Sequence, residues 1–284
     1  MGNPVFGRAD VFQPRHPQQS ANHGSPAGEW GTSQQPYLQG QGMAGAAAMG
    51  QPGNLDQPRQ ATMTLDDVIA KTGVVLLVLA AAAALTFSFV GTNLATAGTI
   101  TVVTSLVSFV TVLIVSARRR VPAGGVMAYA LVEGVFIGAF SAVFEAMYPG
   151  IVVQAALGTF AAAGVTLAVY KFTGFRVTSR FRRIVTIATF GFAGAMLLNL
   201  ILALCGINLG IRDSGGAVSG IAIIASIVGV VLAASSLIMD FDSVRVGIDN
   251  HAPTSESWRA AFGIAVTMVW LYTEILRILS YFRE

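Results

Sequence analysis

The chain is predicted to be an all-α integral membrane protein, a seven-transmembrane-helix bundle preceded by a disordered N-terminal tail. Three observations predict this. Of its 284 residues, 54% are hydrophobic and only 11% charged, whereas about a quarter of a soluble domain is charged, so a water-facing surface could not be covered. Seven of the ten prolines (Pro4, Pro14, Pro17, Pro26, Pro36, Pro52, Pro58) fall before residue 60, among Gln, Gly and Ser. The rest of the chain carries seven apolar stretches, each near the roughly twenty residues that cross a bilayer as a helix.

Residues 1–62 have too few large apolar side chains to offset the entropy of ordering, and are expected to be a disordered cytoplasmic tail. A docking role for the tail has no motif behind it. Nor does the segment contain an apolar signal region, so the first spanning helix is expected to act as its own insertion signal. The membrane domain is then 63–284. It opens at Thr64-Leu65-Asp66-Asp67, where a threonine can cap a helix and two acids suit its positive end.

The spans are expected at 73–90, 97–117, 124–147, 150–170, 184–205, 217–240 and 260–281. Arg118, Arg119 and Arg120 follow the second, and Lys171, Arg176, Arg180, Arg182 and Arg183 lie between the fourth and fifth. Together with Arg8, Arg15, Arg59, Lys71, Arg245 and Arg259 they fall on one side, leaving Arg212 and Arg283 on the other. The positive-inside rule makes the amino terminus cytoplasmic and, after seven crossings, the carboxyl terminus external. A re-entrant last segment would instead give six spans and return the terminus to the inside. The net charge of +3 matters less than this distribution.

Glycines four apart (Gly134, Gly138) and three apart (Gly191, Gly194) mark places where helices can approach closely. The single cysteine, Cys205, lies in an apolar run and reads as a small buried hydrophobe with no disulfide partner.

Ionisable residues are costly in hydrocarbon, so those retained in spans are candidate functional groups. They are Glu133, Asp240, Glu274 and Arg277, with Asp242 beside them. Glu133 falls near mid-bilayer. Asp240 and Asp242 mark the end of the sixth span, on different helix faces, so that only one of them is expected to point into the bundle. Glu274 and Arg277 share a face and can pair locally. Glu145, beside Tyr148-Pro149-Gly150, reads as an exposed residue of an outer turn.

Other chemistries find little support. The histidines (His16, His23, His251) all lie outside the spans, which leaves no Ser–His dyad or histidine metal site in the membrane. The lysines, Lys71 and Lys171, flank spans one and four, and none in the last helix could form a retinal Schiff base. No phosphate-binding loop of the form G-x-x-x-x-G-K-[ST] occurs. No enzymatic activity, cofactor or nucleic-acid partner is expected.

Four segments carry a resemblance: Ala117-Arg118-Arg119-Arg120, Gly134-Val135-Phe136-Ile137-Gly138, Met239-Asp240-Phe241-Asp242 and Leu271-Tyr272-Thr273-Glu274-Ile275-Leu276. In their order and spacing the chain resembles the Bax inhibitor-1 family, in its bacterial branch, over about residues 64–284, leaving the tail unmatched. The resemblance implies a pH-sensitive calcium leak channel in the bacterial plasma membrane, its partners the lipid bilayer and the calcium ion. Two carboxylates on the last two helices would share a proton and bind calcium transiently, and an arginine from helix two would help hold the closed state. Asp240 falls on the first carboxylate, Glu274 on the second and Arg118 on the arginine. The chain departs from the family in having Glu where Asp is frequent at the second position, and in a longer connection between the acids.

Physical chemistry supports such a device. Two carboxylates in a low-dielectric site retain one proton between them, and its loss leaves two repelling charges whose oxygens suit a hard cation. Glu133 is the rival partner for Glu274. Two other functions stay open: a membrane scaffold or regulator of a protease or stress-response complex, which needs no buried acids, and a proton-coupled antiporter.

Overall fold

The computed structural model describes residues 61–91, 93–172, 176–207 and 220–283. The expected disordered tail lies outside these residues except for positions 61 and 62. Seven helices follow in order: α1 (Leu65–Val90), α2 (Leu94–Ala117), α3 (Ala123–Met147), α4 (Ile151–Phe172), α5 (Ser179–Leu204), α6 (Gly220–Asp249) and α7 (Glu256–Tyr281). All seven are long and apolar enough to cross a membrane. The last is a continuous helix of 26 residues, so the re-entrant alternative is set aside.

Local sequence explains most of the boundaries. Thr64 Oγ1 accepts the Asp67 N–H at 3.2 Å and caps α1 as expected. The side chains of Asn93 and Thr178 cap α2 and α5 in the same way. Pro122 separates α2 from α3 by occupying the N-cap of α3, where its missing N–H costs nothing. Glu145 is not a plain exposed turn residue: its carboxylate accepts the N–H groups of Gly150 at 2.6 Å and Val152 at 3.1 Å and so caps α4. A helix start leaves such donors unsatisfied and favours a negative charge.

The sixth helix departs most from expectation. It does not end at Asp240 but runs to Asp249, 30 residues in all, or about 45 Å against a hydrocarbon thickness of about 30 Å. The acids read as its end are instead absorbed by neighbouring helices. A link over residues 250–255 then leads into α7, which starts earlier than expected, at Glu256.

The core is built on α3 and α7, the most buried spans. α7 packs against α1, α3, α4 and α6, while α3 packs against α1 and α2. Gly134 and Gly138 explain the closeness of α1 and α3. A Cβ at 134 would stand 2.5 Å from the Leu79 carbonyl oxygen, and one at 138 would run into the Ala83 carbonyl. The second glycine pair does nothing of this kind: Gly191 and Gly194 have no atom within 4 Å of a built Cβ. α5 is the least buried span, with α6 as its chief neighbour. Cys205, at its end, is exposed rather than buried.

The residues just ahead of α1 are tied to the α6–α7 link. The Met63 N–H donates to the Ala252 carbonyl at 2.7 Å and the Thr254 N–H to the Ala61 carbonyl at 2.9 Å. Lys71 Nζ donates to the Thr254 carbonyl at 3.1 Å and lies 5.5 Å over the Trp258 ring. The start of the membrane domain is thereby strapped across the α6–α7 link.

Candidate ion-conducting site

Among the described residues five carboxylates are buried on the spanning helices: Glu256 (8% exposed) at the very start of α7 and, further inside the spans, Asp240 (0%), Glu274 (1%), Glu133 (7%) and Asp242 (8%). A buried carboxylate needs a hydrogen-bond or charge partner, and the partners of the inner four come from different helices. Thr267 Oγ1 of α7 donates to Asp240 Oδ2 at 2.6 Å. Arg182 Nη2 of α5 donates to Asp242 Oδ2 at 2.7 Å, an ion pair with both side chains mostly buried. Ser108 of α2 donates to Glu133 of α3. Glu274 is accommodated by a glycine: a Cβ at Gly229 of α6 would lie 2.7 Å from Glu274 Cδ.

Both aspartates therefore point into the bundle, contrary to expectation. Two residues apart on a helix means about 200° of rotation. Because α6 continues past them with neighbours on more than one face, Asp240 turns to α7 and Asp242 to α5.

The structure does not bring Asp240 and Glu274 together. Thr267, which holds Asp240, is seven residues before Glu274 on α7, about 10 Å along the axis. On α6, Gly229 and Asp240 are eleven residues apart, about 16 Å. In this conformation the two acids share neither a proton nor a common calcium site, and among the described residues no three His, Cys, Asp or Glu side chains come together. The rival pairing fails for the same reason. Tyr129 packs edge-on against Phe262, with ring centroids 4.8 Å apart, which fixes the register of α3 on α7. Four residues on, Glu133 is level with Val266, beside Thr267 and far from Glu274. The acids thus occupy two levels, with Asp240 and Glu133 on one and Glu274 on the other.

Arg118 is also not where the resemblance puts it. It follows the last residue of α2 in an extended conformation (φ −76, ψ 137), and its side chain is exposed. Its carbonyl is what the fold uses, accepting Arg259 Nη2 at 3.2 Å. Arg259 is wholly buried; it also donates to the Arg119 carbonyl and, through Nε at 2.8 Å, to Glu256. Although it falls just outside the span expected from the sequence, it is the pin that fixes the start of α7 to the α2–α3 corner. The Glu256-Ser257-Trp258-Arg259 spacing was the available signal, since residues three apart share a helix face. Arg182 carried no such signal, being one of five basic residues in a single connection. The guanidinium of Arg277 lies 5.8 Å over the Phe140 ring.

A cavity of about 360 Å³ lies between α1, α3, α4 and α7. Its lining is apolar apart from a few hydroxyls, two of which, Ser141 Oγ and Tyr272 OH, are hydrogen-bonded at 2.7 Å. None of the four acids lines it, so it is separate from the carboxylate system.

No curated protein matches the chain. The family pattern described as Bax inhibitor 1 like matches residues 3–284, and so takes in the tail that the reading from sequence left unmatched. With essentially its whole length covered by that pattern and with seven membrane-spanning helices, the chain belongs to the Bax inhibitor 1 like family.

Proposed function

We infer that the protein is a proton-sensitive cation leak channel of the bacterial plasma membrane, with calcium as the ion, and that it performs no covalent chemistry. The observation that carries this reading is the set of four acids buried inside membrane spans. Packing alone does not need them, and each burial is costly unless partnered. Carboxylate oxygens are the ligands a hard divalent cation prefers. When protonated, the same groups are neutral and hold no cation. Protonation thus sets whether the interior attracts calcium.

The two levels of acids support a stepwise path rather than a single shared-proton gate. Asp240, Asp242 and Glu133 stand nearer than Glu274 to the end of the bundle that carries the basic residues. Opening requires the helices to part between these levels, and the Thr267–Asp240 and Ser108–Glu133 hydrogen bonds are contacts that such a movement would break.

The test is calcium flux into liposomes holding the purified protein and an enclosed calcium indicator, at acidic, neutral and alkaline pH. Flux above that of protein-free liposomes, with a pH response that Asp240→Asn or Glu274→Gln diminishes, is expected. Absence of flux at every pH would turn the reading towards a scaffold, and saturable exchange of a solute for protons would turn it towards an antiporter.

A further inference from the structure

Ser179, Arg182, Arg183, Thr186, Ile187 and Phe190 recur at intervals of three and four residues, so they form one stripe along the first turns of α5. Among the described residues, these six are the ones that line a groove of about 680 Å³. The stripe is graded. Towards the helix start it offers two hydroxyls and two guanidinium groups, and further along it is apolar, with Ile187 64% and Phe190 56% exposed. Arg182 is bound to Asp242 through one Nη, but a guanidinium has five N–H donors in a fixed fork, so others remain for a second acceptor. Asp242 is the carboxylate nearest to this groove by contact, and Arg182 balances its charge.

One polar group here is unaccounted for. Thr186 is only 8% exposed, and its Oγ1 has no hydrogen-bond partner among the described residues. Threonines within helices ordinarily return the hydroxyl to the carbonyl four residues back, as Thr159 and Thr166 do at 2.7 Å. Thr186 does not, although it lines the groove between the arginines and the apolar half. A buried hydroxyl without a partner points to an acceptor supplied from outside the chain.

The groove lies at the basic end of the bundle. Lys71, the Arg118–Arg120 corner and Arg259 share this end, since Arg259 reaches the Arg118 and Arg119 carbonyls and Lys71 reaches Thr254. Anionic lipid concentrates where such basic clusters meet a leaflet. A phosphate matches a fork of arginine donors with flanking hydroxyls, and the start of a helix adds a favourable dipole. The exposed apolar residues just beyond the polar half give a lipid more to contact than a free anion would find.

We propose that this groove binds a phosphate-bearing anion, the headgroup of an anionic phospholipid, with Arg182, Arg183 and Thr186 on the phosphate, Ser179 beside the outer part of the headgroup, and Ile187 and Phe190 along the acyl chain. The full-length protein in a neutral detergent is titrated with phosphatidylglycerol, with phosphatidylcholine and with inorganic phosphate alone, and bound lipid is counted by native mass spectrometry. Saturable binding of phosphatidylglycerol and not of phosphatidylcholine is expected. Arg183→Gln should weaken it roughly tenfold and Thr186→Val by a smaller factor, as expected for a lost charged and a lost neutral hydrogen bond. Thr186→Ser, which keeps the hydroxyl, should restore it. Arg180→Gln, which removes a neighbouring charge that does not line the groove, should leave affinity within about twofold, as an exposed and screened charge would. Inorganic phosphate binding with the same sensitivity to Arg183 and Thr186, and no preference for lipid, would uphold the anion site and assign it to a soluble anion. Equal losses from Arg180→Gln and Arg183→Gln, with none from Thr186→Val, would overturn the site in favour of diffuse attraction to a basic surface.

Discussion

Gly229 of α6 stands against the carboxylate of Glu274 on α7: a methyl group at 229 would come within 2.7 Å of Glu274 Cδ and 3.0 Å of Cγ and Oε2. The absence of a side chain on one helix is what lets an acid on the next lie 1% exposed inside a membrane bundle. Gly229→Ala should therefore displace Glu274 without removing its charge. The expected cost is about 1–3 kcal/mol, typical of overpacking, read as a lower unfolding temperature in detergent, together with an altered pH response of calcium flux. An unchanged flux profile alongside a lowered unfolding temperature would show that the position of Glu274 is unimportant for conduction.

The α1–α3 contact makes a sharper stability prediction. Gly134→Ala and Gly138→Ala each drive a methyl group into backbone of α1, where no side-chain rotation gives relief, so each should destabilise the bundle by at least roughly 1–3 kcal/mol. Gly191→Ala and Gly194→Ala, with open space at both positions, should be neutral or slightly stabilising because alanine favours helix. Thermal unfolding of the four variants in one detergent checks the contrast, and equal effects at all four would contradict the packing.

Arg259 is a third point of leverage. Arg259→Gln would leave Glu256, 8% exposed, without its cation and would strand the Arg118 and Arg119 carbonyls. Removing one partner of a buried ion pair costs about 3–5 kcal/mol, so the variant should express poorly or unfold well below the parent. The double variant Glu256→Gln/Arg259→Gln should recover part of the loss. A double variant that is as unstable as the sum of the two singles would mean that the two side chains are not coupled.

The separation of the acids can be read from additivity. Variants further apart than about 7–10 Å usually add, whereas contacting residues do not. Asp240→Asn and Thr267→Val, which break the same hydrogen bond, should therefore be strongly non-additive in their effect on flux and stability. Asp240→Asn and Glu274→Gln should be close to additive. Strong coupling between Asp240 and Glu274 would instead establish that the working state brings the two acids into contact, a conformation different from the one described here.

Topology gives a fifth prediction. Accessibility tags at Ser179, beside the arginines of α5, and at Ser214, in the α5–α6 connection, should report opposite sides, with Ser179 cytoplasmic because Arg and Lys resist translocation. Both tags on one side would contradict a spanning α5.

The number and order of the spans are legible in the chain alone, because hydrocarbon admits only long apolar stretches with satisfied backbones, and that constraint is local in the chain. The Thr64 cap and the tight Gly134–Gly138 approach are legible too, since their signals lie within a few residues. What depends on neighbours comes from the packing of the helices. The continuation of α6 to Asp249 rests on Arg182 and Thr267 receiving Asp242 and Asp240, and Arg182 is 60 residues away from its partner. The levels of Glu133 and Glu274 depend on the register of α3 and α6 against α7, which spacing along one helix cannot supply. The inward turn of Arg259 and the outward turn of Arg118 follow from where α2 stops and α7 begins. A charge near a span end can face water or a buried partner, and only the packing of other helices around it selects between them.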